Sequence, residues 1–150
     1  MNTGKEFIGN IDIFEKEIGE TIPICFGDVV KRDDENEFGI LSGDDLMYRL
    51  SMEIPEVIFT VFLLGDVDGV MDKPPDNLDA NLISTWKRYD SIKTSHNSEV
   101  DVTGGMDLKL TRASEIANKI ENVWFLNGNN PERILQLVRT GSTIGTKINP

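Results

Sequence analysis

Three glycine-bearing segments carry residue types suited to holding an anion. In Thr103-Gly104-Gly105-Met106-Asp107-Leu108-Lys109, two glycines precede a helical pattern, where free backbone N–H groups can face a phosphate. Lys109 lies one turn in from Gly105 and can add a point charge. In Ser42-Gly43-Asp44-Asp45, Gly43 lets a ligand approach the backbone, and Asp44 can orient lysines or a magnesium-bound nucleotide. Asp66-Val67-Asp68-Gly69 follows an apolar run, at the strand end where open α/β sheets bind ligands.

Each segment also has an ordinary reading. Ser42 or Asp44 suits a helix cap, and acids there complement the dipole. Asp and Gly in 66–69 are turn residues. Gly104 and Gly105 can simply start a helix, with Lys109 solvated. The P-loop spacing of Gly-x4-Gly-Lys-[Ser/Thr] is absent. Two aspartates at i and i+2 supply too few oxygens for a metal cage.

The elements that must position these loops alternate in type. Ile11, Phe14 and Ile18 give a helix over 10–18, stopped by Gly19. Residues 21–26 read as a short buried strand, with Cys25 an inert core residue. Residues 29–31 and 38–41 form a hairpin whose link carries a solvated acidic tip, Asp33-Asp34-Glu35. Leu46, Met47, Leu50 and Ile54 mark one face of a helix that ends at Pro55. Residues 56–64 are the strongest strand, apolar enough for burial on both faces. Residues 73–79 make a surface loop, and 80–100 show no clear period. Met106, Leu110, Ala113, Ala117 and Ile120 make an apolar helical stripe. Residues 122–126 form another buried strand, with Trp124 in the core. After the 127–131 turn, Ile134, Leu135 and Val138 face a core until Gly141 caps their helix. Residues 143–148 suit an edge strand. Trp86 reads as surface or partner-facing, and His96 as a surface histidine. This is an α/β pattern with crossover connections, and mostly parallel strands.

Composition narrows the chemistry. The 39% apolar share over 150 residues supports a folded globule. The net charge of −11 argues against binding to nucleic acid or to an anionic membrane, since both rest on Lys and Arg. The longest apolar run, 57–64 with Thr60 inside it, falls far short of the about 20 residues a membrane helix needs. The first residues show no secretory h-region, and with Cys25 alone there is no internal disulfide, so the default compartment is the reducing cytoplasm. With Cys25 and His96 the only residues of their kinds, a metal would rest on oxygen ligands, which suits magnesium.

The order of the motifs adds a resemblance. Gly27-Asp28-Val29-Val30, Ser42-Gly43-Asp44-Asp45-Leu46, Asp66-Val67-Asp68-Gly69-Val70, Asp101-Val102-Thr103-Gly104-Gly105-Met106 with Lys109, Asn127-Gly128 and Gly145-Thr146 occur in that sequence. Together they closely resemble the archaeal isopentenyl phosphate kinases of the amino acid kinase superfamily, over nearly the whole chain. Single pieces are shared with related kinases for glutamate, uridylate, carbamate and fosfomycin.

The resemblance implies ATP-dependent transfer to isopentenyl phosphate, giving isopentenyl diphosphate. The implied fold is the C-terminal, nucleotide-binding half of a three-layer αβα sandwich. Gly43 would lie beside the acceptor phosphate, and Asp44 would orient catalytic lysines. Gly65, Asp66 and Gly69 would contact the nucleotide. Gly104 and Gly105 would pass close to the ATP phosphates, with Lys109 neutralising charge and magnesium carried mainly by the phosphates. The family pattern opens with a strand, a Gly-rich loop and a phosphate-gripping lysine, and a later histidine holds the acceptor. Neither feature is present in this sequence, and Gly65 stands where the family often has threonine. The expectation is therefore one partial kinase domain over 1–150, impaired in turnover by itself. A homodimer, or association through an exposed sheet edge, is expected with it. A non-catalytic nucleotide-binding or interaction module, and a kinase for another small phosphate, stay open beside this reading.

Overall fold

Ser42 shows how local chemistry starts a helix here. In the computed structural model, its Oγ accepts a hydrogen bond from the Asp45 N–H at 3.1 Å and donates to Asp45 Oδ2 at 2.8 Å. This capping pair opens helix α2 (Gly43–Glu53). The Ile54 N–H closes the last turn on the Leu50 carbonyl, and Pro55 follows, as the sequence predicts. The structure describes residues 11–16, 19, 21–32, 37–87 and 105–150. They divide into two compact units, Met1–Val57 and Ile58–Pro150.

The first unit contains α1 (Asp12–Lys16), α2 and the expected hairpin, β1 (Asp28–Lys31) antiparallel to β2 (Phe38–Leu41). Gly19 takes the left-handed φ of 91° that suits a helix stop. The buried strand expected at 21–26 is not formed. The segment is extended but has no strand assignment, and Ile22, Ile24 and Phe26 are exposed. Apolar side chains alone make no ladder; a strand needs a neighbour to take its N–H and C=O groups. Cys25 is accordingly exposed rather than in the core. The acidic hairpin tip Asp33-Asp34-Glu35 and Ile18 lie outside the described residues.

The second unit is a four-stranded sheet in the order β3-β5-β6-β4. β3 (Phe59–Leu64) runs parallel to β5 (Asn122–Asn127), β5 antiparallel to β6 (Thr146–Asn149), and β6 parallel to β4 (Thr85–Lys87). The strand expected from 56 starts at Phe59, because Pro55 and Glu56 form a turn. Its burial alternates: Thr60, Phe62 and Leu64 are buried and Leu63 is half exposed. β3 is an outer strand, so one of its faces is only partly covered. Residues 143–148 do not make an edge strand; β6 sits inside the sheet. Trp86 is buried in β4, not on the surface.

The sheet is covered on both faces. Val61 and Trp124 lie opposite each other, and their face packs Phe59, Leu126 and the α4 (Glu132–Thr140) residues Ile134 and Leu137. On the other face Phe62 stacks on Phe125, with ring centroids 5.0 Å apart. Helix α3 (Gly105–Ala117) contacts β3, β5 and β6 and buries Ala113, Ile116 and Ala117. It takes this second face, giving helix, sheet and helix in three layers. Leu135 and Val138 are 50% and 59% exposed, and Leu137 is the fully buried residue of α4. The helix meets the sheet along the Ile134–Leu137 line, one turn of spacing that excludes both neighbours. Gly141 caps α4 at φ 78°.

Candidate functional site

Parallel pairing brings the ends of β3 and β5 to one edge of the sheet, with Leu64 opposite Asn127. Loop 65–69 leaves β3 there, and turn 127–130 leaves β5 beside it. The Gly128 N–H donates to the Leu64 carbonyl at 2.7 Å, and Asn129 Nδ2 donates to the Gly65 carbonyl. Asp68 Oδ1 accepts from Arg133 Nη1 at 2.7 Å and from Asn127 Nδ2 at 3.0 Å. The Arg133 hydrogen bond, followed by that of Asn127, holds the Asp68 carboxyl below the usual carboxylate range.

The exit of the loop is tied to β6. Thr146 Oγ1 accepts from the Val70 N–H at 2.8 Å and donates to the Ile83 carbonyl at 2.6 Å. Gly69 is required for this approach, since a Cβ there would lie 2.9 Å from the Thr146 nitrogen. Gly145 is similarly close, with a Cβ at 2.6 Å from the Phe125 carbonyl. Beyond the loop, Met71 bridges Leu82 and closes the 72–81 excursion upon itself.

Helix α3 starts at the same edge. Only residues 118–121 join its end to the start of β5, so α3 runs back against β5. Thirteen residues of helix span about 20 Å, much the same as a six-residue strand. Gly105 and Lys109, in the first turns, therefore lie towards the edge where β3 and β5 end, both partly buried.

The residues singled out from sequence fall into two groups. Gly65, Asp66 and Gly69 in the loop share with Gly105 and Lys109 the edge of the second unit where β3 and β5 end. Gly65 and Asp66 are exposed, and the space where a Gly65 Cβ would sit is open. Gly43 and Asp44 sit in the first turn of α2, in the first unit. There Gly43 is exposed with open space around it, Asp44 is partly buried, and Asp45 is the fully buried carboxylate. Gly104, the segment 101–103 and His96 lie outside the described residues. Sequence reasoning did not single out Asn129, Arg133 or the roles of Asp68, Asn127 and Thr146. Their only signal was turn composition at Asp66-Val67-Asp68-Gly69, Asn127-Gly128 and Gly145-Thr146.

Among the described residues, no group of three or more Asp, Glu, His or Cys side chains is placed to hold a metal ion. No helix among them is long and apolar enough to cross a membrane. The arrangement offers an edge with exposed backbone and a lysine, with one of its loop carboxylates already neutralised by Arg133.

Comparison with known proteins places this architecture. The isopentenyl phosphate kinase of Thermoplasma acidophilum is 38% identical over 129 residues, covering 85% of this chain and 50% of that protein. The isopentenyl phosphate kinase of Methanocaldococcus jannaschii is 34% identical over 130 residues, covering 85% of this chain and 46% of that one. The chain thus spans about half the length of the curated relatives it matches. A crystal structure of the T. acidophilum enzyme in a product complex superposes with a TM-score of 0.70 at 31% identity, over 93% of this chain and 53% of that one. An isopentenyl phosphate kinase substrate complex gives 0.69 at 28% identity, over 99% and 58%. The model of the amino acid kinase family matches residues 5–127. With that match across most of its length, the chain belongs to the amino acid kinase family.

Proposed function

We propose that this chain forms the nucleotide-binding part of a phosphotransferase that uses ATP to convert isopentenyl phosphate to isopentenyl diphosphate. The observation that carries the reading is the shared edge of the second unit, where loop 65–69 and the start of α3 meet the ends of two parallel strands. Residues 1–150 are then part of an amino acid kinase domain, spanning about half the length of the curated relatives.

Each residue has a role in this scheme. Gly65, Asp66 and Gly69 contact the nucleotide, and Gly65 leaves room for it. Gly104 and Gly105 would supply backbone N–H groups to the ATP phosphates. Lys109 neutralises phosphate charge. Gly43 would contact the acceptor phosphate, and Asp44 would orient catalytic lysines. Phosphoryl transfer needs such alignment and charge neutralisation more than a covalent catalyst. The donor set fits ATP. Among the described residues no carboxylate cage is placed to hold a metal ion, and magnesium would be carried by the nucleotide phosphates and offset their charge there. The same reading makes the protein cytoplasmic and self-associating, through outer sheet strands.

A coupled assay of ATP consumption with isopentenyl phosphate tests the acceptor, and calorimetry with MgATP tests the nucleotide site. Lys109→Ala should weaken MgATP binding by about tenfold, the worth of a charge-assisted hydrogen bond. An unchanged affinity removes Lys109 from the site. Full turnover by this chain alone would overturn the need for the other half.

A second reading has its own observation. Ile22, Ile24, Phe26, Val29, Phe38 and Ile40 are all exposed in the first unit. Such a surface suits a non-catalytic interaction module. Light scattering separates the two: a chain that ignores MgATP but assembles through this surface favours the module.

A further inference from the structure

Loop 65–69 brings two carboxylates to an edge that, on the reading above, must accept phosphates. Asp66 is exposed, while Asp68 is engaged by two donors on one oxygen. The Arg133 side chain is the more buried partner, 14% exposed against 41% for Asp68. Arg133 stands in the first turn of α4, directly after the turn that also supplies Asn127 and Asn129. One short segment, 127–133, thus grips the loop at two points, the Gly65 carbonyl and the Asp68 carboxylate.

We propose that Arg133 is a positioning residue for the nucleotide loop: acting through Asp68, it holds the shape in which Gly65 and Asp66 face the nucleotide. This rests on the nucleotide-binding reading of the edge. The competing role for an arginine here is direct phosphate binding, and the two roles differ in sign at Asp68. If Arg133 positions the loop, removing the Asp68 charge loosens the loop and weakens the nucleotide. If Arg133 is a phosphate ligand, removing that charge frees it and strengthens the nucleotide. The side chain's burial favours the first role, because a guanidinium committed to Asp68 and packed beside Asn127 has little freedom to turn outward.

The experiment compares the unsubstituted chain with Asp68→Asn, Arg133→Met, Arg133→Lys and the Asp68→Asn/Arg133→Met pair. Calorimetry reads MgATP affinity, and hydrogen exchange reads the amides of 65–70 against those of β3 and β5. Coupled residues share one loss, so each of Asp68→Asn and Arg133→Met should weaken MgATP by about tenfold, and the pair by about the same factor. Arg133→Lys keeps the charge without the fork and should recover part of the affinity. Loop amides should exchange faster in the same variants while strand amides hold. Tighter MgATP binding in Asp68→Asn, or unchanged affinity with a loosened loop, overturns the positioning role. Loop exchange that is unchanged in every variant also overturns the positioning role and leaves the nucleotide reading standing. An unsubstituted chain that binds no MgATP overturns the nucleotide reading, and the positioning role with it.

Discussion

Thr146→Val isolates one hydroxyl that fastens the loop exit. Thr146 is fully buried, and its Oγ1 both accepts from the Val70 N–H and donates to the Ile83 carbonyl. Valine keeps the shape and removes both bonds. A buried group left without its partner costs about 1–3 kcal/mol. Val70 is itself buried, so its N–H stands near the middle of that range. The Ile83 carbonyl is in a partly buried bond and stands at the low end. The added methyl returns about 0.8 kcal/mol of burial. The net loss is about 2–3 kcal/mol. Thr146→Ser keeps the hydroxyl and loses a methyl, costing about 1 kcal/mol. Urea unfolding followed by tryptophan fluorescence reads this directly, because Trp86 and Trp124 are both buried in the second unit. The midpoint for Thr146→Val should fall by about 1–2 M at constant slope. A loss under about 0.5 kcal/mol, or a serine variant less stable than the valine variant, would refute the hydrogen-bond argument.

Three further expectations follow from the packing and the charges. Leu137→Ala should cost about 2–5 kcal/mol, while Leu135→Ala should stay within about 0.5 kcal/mol, since only Leu137 faces the sheet; equal costs in urea unfolding would move the helix face. The folded state holds the Asp68 carboxyl below its unfolded value, so its stabilisation is present above about pH 4 and is lost as pH falls through the folded value. Asp68→Asn should therefore be less stable than the unsubstituted chain at pH 7, with the gap closing in acid; a gap independent of pH contradicts the pairing with Arg133. Ser42→Ala removes the cap of α2 and a donor to the buried Asp45 carboxylate, and should cost about 1–2 kcal/mol in helix signal monitored by circular dichroism. No loss of that signal on heating relative to the unsubstituted chain would show that the cap is dispensable.

Much of the fold was legible where local chemistry decides it. The Ser42 cap, the Pro55 stop, the α3 stripe and the hairpin arms all follow from residue type and spacing. The failures share a cause. Residues 21–26 have strand composition, but a strand exists only with a neighbour. The internal position of β6 depends on β5 and β4, which precede it by many residues. Trp86 lies in a three-residue strand too short to show a period. In α4, Ile134 faces the core as its spacing suggests, but Leu135 and Val138 do not, because apolar content does not state which line of the helix meets the sheet.

The candidate site divides in the same way. Sequence alone determined that the glycines and aspartates of 65–69 make a turn, that Gly105 opens a helix, and that the chain has an amino acid kinase pattern. Those outcomes rest on backbone freedom at glycine, on side chains that satisfy nearby N–H groups and on motif order. Only the tertiary structure decided that Arg133 reaches Asp68 across 65 positions and that Thr146 reaches Val70 across 76. It also decided that Asp45, rather than Asp44, is the buried acid of α2. Such contacts depend on how the ends of parallel β3 and β5 and the start of antiparallel β6 meet at one sheet edge, and no local pattern encodes that proximity.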